Sequence, residues 1–303
     1  MMAIQYIVGQ LNSPIDLLFN FMQQFQDAKI SIERLNEIHE LEDEEPLGLR
    51  LATDLPFRKE IVLRNVCFRY QGSESQEVLS NIDLVIPEGK TTAIVGMSGS
   101  GKTTILKLLL RFYEPTKGRI QVGSDSLDQI SHSFWRGKCG AVLQDSFIFS
   151  DTILKNIAVG DDYPDKKRVQ NAIDIANLTD FIDDLPLGLN TKIGASGNGI
   201  SQGQKQRILI ARAFYKDPEY IFFDEATNSL DANNELVIME NLKDFFVGRT
   251  VVIVAHRLST VKNADNIIVL HKGSIAEQGT HQELIGNNGR YLELVRNQLE
   301  NIV

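Results

Sequence analysis

Residues 96–104, GMSGSGKTT, constrain the fold more than any other stretch of the chain. Gly96, Gly99 and Gly101 suit a loop whose backbone N–H groups curl around an anion, because a side chain would resist the backbone conformations that such a curl needs. The run before it, KTTAIVG, is short and apolar, and ILKLLLRFY after it reads as a helix. A glycine loop between a buried strand and a helix start is a phosphate cradle: loop N–H groups and the positive end of the helix face the same ligand. In this register Gly96, Gly101, Lys102 and Thr103 hold the defining positions, and Ser98, Gly99, Ser100 and Thr104 complete the loop. Lys102 would reach the outer phosphates, and the Thr103 hydroxyl would ligate Mg²⁺.

The flanking text supports an α/β architecture. EIVLRNVCFRY and VLSNIDLVI are strand-like, EPTKGRIQVG is a turn and another strand, and NIIVLHKGSIAEQG reads as a hairpin. YIFFDEA and TVVIVAH are buried-strand runs, and residues 145–216 are mostly helical. Strands alternating with helices imply a largely parallel sheet covered on both faces. YIFFDEA also supplies a partner for the phosphate loop: at its end Asp224 is placed to hold Mg²⁺ through its water shell, and Glu225 to polarise an attacking water.

A second stretch has anion-binding character. In GNGISQGQKQR, residues 197–207, small residues precede Ser201 at a helix cap, and the helix reads on through ILIARAF. Gly203 and Gln204 lie in its first turn, where unpaired N–H groups and the helix dipole would face an anion. The bulk properties narrow the partners. A net charge of −9 argues against nucleic acid. The only cysteines, Cys67 and Cys139, have no metal-like neighbours and read as buried thiols.

From about Phe57 to the C-terminus the chain resembles the nucleotide-binding domain of an ATP-binding cassette (ABC) transporter. ISQGQ, residues 200–204, is similar to the family's signature, and the order of phosphate loop, glutamine, signature, acidic strand and histidine is the family's order. The resemblance implies a P-loop NTPase core of RecA type, an antiparallel β subdomain and an inserted α-helical subdomain at about 145–216. It implies that Tyr70 stacks on adenine and that Gln144 senses Mg²⁺ and the attacking water. By the same resemblance, Asp231 in NSLD crosses to a partner subunit and His256 contacts the γ-phosphate. The signature helix then serves ATP bound on the other subunit of a head-to-tail homodimer. The implied activity is Mg²⁺-dependent ATP hydrolysis coupled to export through membrane helices of the same transporter chain.

Two positions depart from the family pattern. Gln202 stands where the signature usually has glycine, which puts a close backbone approach there in doubt. No glutamate is found near Ala195, in the segment TKIGASGNG that resembles the exporter contact with the membrane domain.

At the N-terminus, Leu18, Phe21, Phe25, Ala28, Ile32, Leu35 and Ile38 form one helical stripe. An ordinary helix docked on the same domain would show this stripe, and so would the cytosolic end of a membrane helix. Asn12, Pro14, Asp16 and Asn20 leave its start short of a complete span. The opening has no basic leader or small-residue cleavage site, so no secretory signal is expected. The stretch resembles the end of the last transmembrane helix and linker of exporters, most like those with a peptidase domain that export bacteriocin-like peptides. The expected division is therefore 1–45 helix end and linker helix, closed by the acidic run ELEDEEP, 46–56 linker, and 57–303 nucleotide-binding domain. The expected location is the cytoplasmic face of the inner membrane, with the fragment itself soluble. The alternative is a soluble ABC-type ATPase; a repair enzyme would need a long coiled-coil insertion, and a translation factor usually two cassettes. A regulatory module that binds ATP without turnover would lack the acidic residue found here as Glu225.

Overall fold

The computed structural model describes residues 2–41, 43–45, 48, 50–72, 76–194, 197, 199–224, 232–255 and 261–300. The chain divides into two compact units, 1–50 and 51–303. In the first, helix α1 (Met2–His39) begins well before the apolar stripe and continues through Pro14, which removes only one N–H donor from the helix ladder. The stripe residues Leu18, Phe21, Phe25, Ile32, Leu35 and Ile38 are exposed. Among the described residues no helix is long and apolar enough to cross a membrane.

The second unit holds two sheets. Strands β1 (Ile61–Phe68), β2 (Leu79–Ile86), β4 (Lys117–Val122) and β5 (Asp125–Ser126) form an antiparallel sheet in the order β2-β1-β4-β5. Strands β3 (Thr91–Gly96), β6 (Cys139–Val142), β7 (Tyr220–Asp224), β8 (Thr250–Val254), β9 (Asn266–His271) and β10 (Ser274–Gly279) form the other, in the order β10-β9-β3-β8-β7-β6. Pairing is parallel from β9 through β6, and β10 closes one edge as the antiparallel arm of a hairpin.

The central strands are apolar throughout because each face of this sheet borders a core. Ile94, Phe222, Val252, Val254 and Ile268 join the antiparallel sheet and helix α2 (Lys102–Leu109) in one cluster. Their neighbours Ala93, Val95, Ile221, Phe223, Val251, Ile253 and Ile267 join the other, with residues of the intervening helices. Successive side chains on a strand point to opposite faces, so an alternating strand would leave one core unfilled. Those helices are α4 (Ile153–Ile157), α5 (Lys166–Ile175), α6 (Thr179–Asp183) and α7 (Gln202–Tyr215), following α3 (His132–Lys138). Asp165 starts α5 by accepting from the N–H groups of Lys167 and Arg168. Both cysteines are buried as free thiols.

The sheet's two ends differ in character. At the N-terminal end of β7, Glu219 accepts from Lys59 (2.6 Å) and Lys138 (2.8 Å). Burial pushes the Glu219 carboxyl up, but those lysines outweigh it and leave the group below its ordinary value. Charges there are neutralised within the fold. The C-terminal end carries the candidate site.

Candidate functional site

Parallel strands deliver their C-terminal ends to one edge, and in open α/β sheets ligands bind outside that edge. Register fixes which residues arrive together. Val254 of β8 lies between Ile94 of β3 and Asp224 of β7, and Phe223 of β7 lies beside Val142 of β6. Beyond these positions the chain continues into the phosphate loop, out of β7 after Asp224, and to Gln144 after β6. The structure thus brings the phosphate loop, Asp224 and Gln144 to one edge of the sheet. Glu225, Asp231 and His256 lie outside the described residues.

The loop has a form that only glycine permits at two points. Gly96 has φ 154°, and a Cβ there would come within 2.4 Å of the Leu270 carbonyl oxygen and 2.8 Å of Ser100 Oγ. Gly101 caps α2 with φ 102°, and a Cβ would meet a Leu79 methyl at 2.6 Å. Between them Ser98 and Gly99 are exposed. Lys102, only 6 % exposed, donates from Nζ to the carbonyls of Gly96 (2.9 Å) and Met97 (3.0 Å). A strongly hydrated ammonium held this way places a positive charge at the loop.

The residues present fit a magnesium–nucleotide group. The Ser100 hydroxyl is buried with no hydrogen-bond partner, a cost that a ligand oxygen would remove. Asp224 is 2 % exposed at the end of an apolar strand, and Thr103, one residue into α2, is half-buried. A carboxylate, hydroxyls and backbone N–H groups form the hard-oxygen and donor set that Mg²⁺ and phosphate require. Gln144 is exposed, in a turn that Ser146 closes by accepting from the Leu143 N–H on Oγ (3.1 Å) and donating its own N–H to the Leu143 carbonyl (3.1 Å).

Tyr70 lies two residues beyond β1. Its hydroxyl is 3.1 Å from Thr104 Oγ1 on α2, and its ring meets Phe68 and Tyr113 edge-on at 4.8 and 5.2 Å. The aromatic trio and the hydroxyl contact fix the ring beside the helix that begins at the phosphate loop.

Ser201 caps α7 in a reciprocal box: its Oγ accepts from the Gln204 N–H (3.1 Å), and Gln204 Oε1 accepts from the Ser201 N–H (2.8 Å). Ser201 is exposed, and neither it nor Gln204 hydrogen-bonds to the phosphate loop of its own chain. Gln202 is the first helical residue, exposed and with no positive φ, so the fold at this position has no need of glycine.

Sequence reasoning missed a network around Arg212 and Asn156. Its signal was an arginine inside the apolar run ILIARAF.

Comparison with known proteins agrees with this geometry. A sequence profile of the ABC transporter family matches residues 79–228. Over 300 residues the chain is 41 % identical to the leukotoxin translocation ATP-binding protein of Mannheimia haemolytica, and equally to that of Bibersteinia trehalosi. Each alignment takes in 99 % of this chain and 42 % of the relative, so the chain spans less than half the length of those proteins. Among solved structures the fold is similar to a bacterial Atm1-family ABC exporter with ATP bound. The TM-score is 0.81 at 36 % identity, over 95 % of this chain and 50 % of that one. The two-sheet core with its helices is the P-loop NTPase fold of exporter nucleotide-binding domains, and the chain belongs to the ABC transporter family, whose ATPase domain it carries.

Proposed function

We propose that this domain hydrolyses MgATP as a head-to-tail homodimer and so powers export of a polypeptide through membrane helices of the same transporter chain. The observation that carries this reading is the division of the anion-binding groups. The phosphate loop, Asp224 and Gln144 share one sheet edge. Ser201 and Gln202, at the start of α7, are exposed, and neither Ser201 nor Gln204 hydrogen-bonds to that loop. A second anion-binding helix start with no part in its own site suits a nucleotide held by another copy. The names of the relatives, which concern leukotoxin translocation, favour a polypeptide cargo. The N-terminal linker favours a bacteriocin-like peptide within that class. Such a domain would work at the cytoplasmic face of the membrane.

In this mechanism the loop N–H groups and Lys102 hold the β- and γ-phosphates. Thr103, Asp224 and Gln144 would hold Mg²⁺, which supplies positive charge against the phosphate oxygens. Glu225 takes the proton of the water that attacks phosphorus in line with the departing ADP oxygen. His256 and the partner's Ser201 orient and stabilise the equatorial oxygens, where charge is spread in the transition state. Asp231 would serve the contact with the partner subunit.

A composite site makes activity depend on pairing. At saturating MgATP, phosphate release per chain is expected to rise with protein concentration and level off as light scattering reports dimers. A constant specific activity while scattering reports monomers throughout contradicts the proposal. Adenine recognition is tested separately. Tyr70→Ala is expected to weaken ATP binding by about 1–2 kcal/mol, in the range of aromatic stacking, while Tyr70→Trp is tolerated. Unchanged affinity of the alanine variant by calorimetric titration removes Tyr70 from that role.

A further inference from the structure

Arg212 lies on the third turn of α7, with its apolar neighbours Ala211 and Ala213 buried. Its guanidinium is half-buried and makes no ion pair among the described residues. Instead, Nε donates to the Asn156 carbonyl (2.8 Å), Nη1 to the Phe147 carbonyl (2.9 Å) and Nη2 to Asn156 Oδ1 (3.0 Å). The guanidinium also lies over the Phe149 ring, 5.2 Å from its centre. Asn156, fully buried, accepts on Oδ1 from the Phe149 N–H (2.8 Å) and donates to the carbonyls of Phe149 and Thr152, both at 3.0 Å. One side chain thus gathers residues 147–156 onto the signature helix. Burial pulls the arginine's pKa down, the mark of a charge that pays for its place. A methionine of similar length could fill the space without that cost, so packing alone does not account for the guanidinium.

The position of this clamp gives it a consequence. Residues 147–156 follow directly on the Leu143–Ser146 turn that carries Gln144. Ser201 stands at the other end of α7, 11 residues from Arg212, which is about 16 Å along a helix. We propose that Arg212 is a positioning residue: it fixes the segment that follows Gln144 to the signature helix, so that Gln144 at one nucleotide and Ser201 at the partner's are aligned by a single rigid piece. A tilt of about 5° at the clamp moves Ser201 by about 1.4 Å, and a misplacement of about 1 Å costs on the order of a hundredfold in rate.

This inference rests on the composite-site reading, and its test separates the two. Hydrogen exchange of the whole chain is measured with and without MgATP, in wild type, Arg212→Met and Arg212→Lys, beside steady-state ATPase. In wild type, MgATP is expected to protect both residues 96–104 and residues 201–207. In Arg212→Met, protection of 96–104 persists and that of 201–207 is lost, while kcat falls about 10- to 100-fold and KM stays within about twofold. Arg212→Lys, which can reach one carbonyl but has no fork, falls between. A purely structural arginine would lower the melting temperature but leave both protected regions in the folded fraction. Should Arg212→Met fail to fold, Arg212→Lys carries the same comparison. Loss of 201–207 protection in wild type itself defeats the composite site. Retention of both regions and of kcat in a folded Arg212 variant overturns the clamp alone.

Discussion

Replacing Glu225 with glutamine is expected to leave ATP binding intact while turnover falls by about 10²–10⁴-fold, the usual contribution of a general base. The amide keeps the size and hydrogen-bonding reach of the acid but cannot take the proton of the attacking water. In the ground state, binding is proposed to rest on the loop N–H groups, Lys102 and the Tyr70 ring, none of which the substitution alters. The residue follows Asp224, whose place at the end of β7 is fixed by pairing with Val254. Single-turnover hydrolysis with a separate titration of ATP affinity is the measurement. A loss below about tenfold would move the base role to another group, and a loss of binding would make Glu225 a ligand-holding residue.

The second large effect comes from two substitutions that inactivate for different reasons. Lys102→Ala removes the one ammonium that the loop encloses, so phosphate binding and turnover should both collapse. Ser201→Arg leaves that loop untouched. It replaces the exposed cap of α7 with a long cation where the partner's nucleotide is proposed to sit, and it removes the acceptor for the Gln204 N–H at a typical cost of about 1 kcal/mol. The arginine variant should therefore still bind ATP but fail to hydrolyse it.

How much of this could be read from the sequence depended on how local each feature is. The phosphate loop, the apolar central strands and the β9–β10 hairpin were legible because single stretches of residues dictate them. Strand β6 was not: CGAV is four residues long and includes a glycine, too short for any periodicity. Nor was the start of α1, because a proline inside a run reads as an interruption although one lost donor does not end a helix. In the site, the glycine positions followed from the motif, and the structure adds the reason at Gly96 and Gly101. The doubt over Gln202 came from comparing motifs, and the ordinary helical backbone there removes the conformational part of it. The Arg212 network could not be seen, because its partners lie 56 and 65 residues away in the chain and meet only once the helices are packed.

The central claim is that each ATP site takes Lys102 from one chain and Ser201 from the other. Mixing the two inactive variants tests it directly. In a two-fold dimer of one Lys102→Ala chain and one Ser201→Arg chain, one site collects both lesions and the other has neither. With random exchange about half the dimers are mixed and each has one intact site of two, so phosphate release should recover to about a quarter of wild type if the sites fire independently. Coupled firing lowers that figure without abolishing it. Phosphate release is followed against mixing ratio, with subunit exchange monitored independently. Recovery that peaks near equal mixing is the expected result; a mixture as inactive as its parents, with exchange demonstrated, contradicts the head-to-tail site.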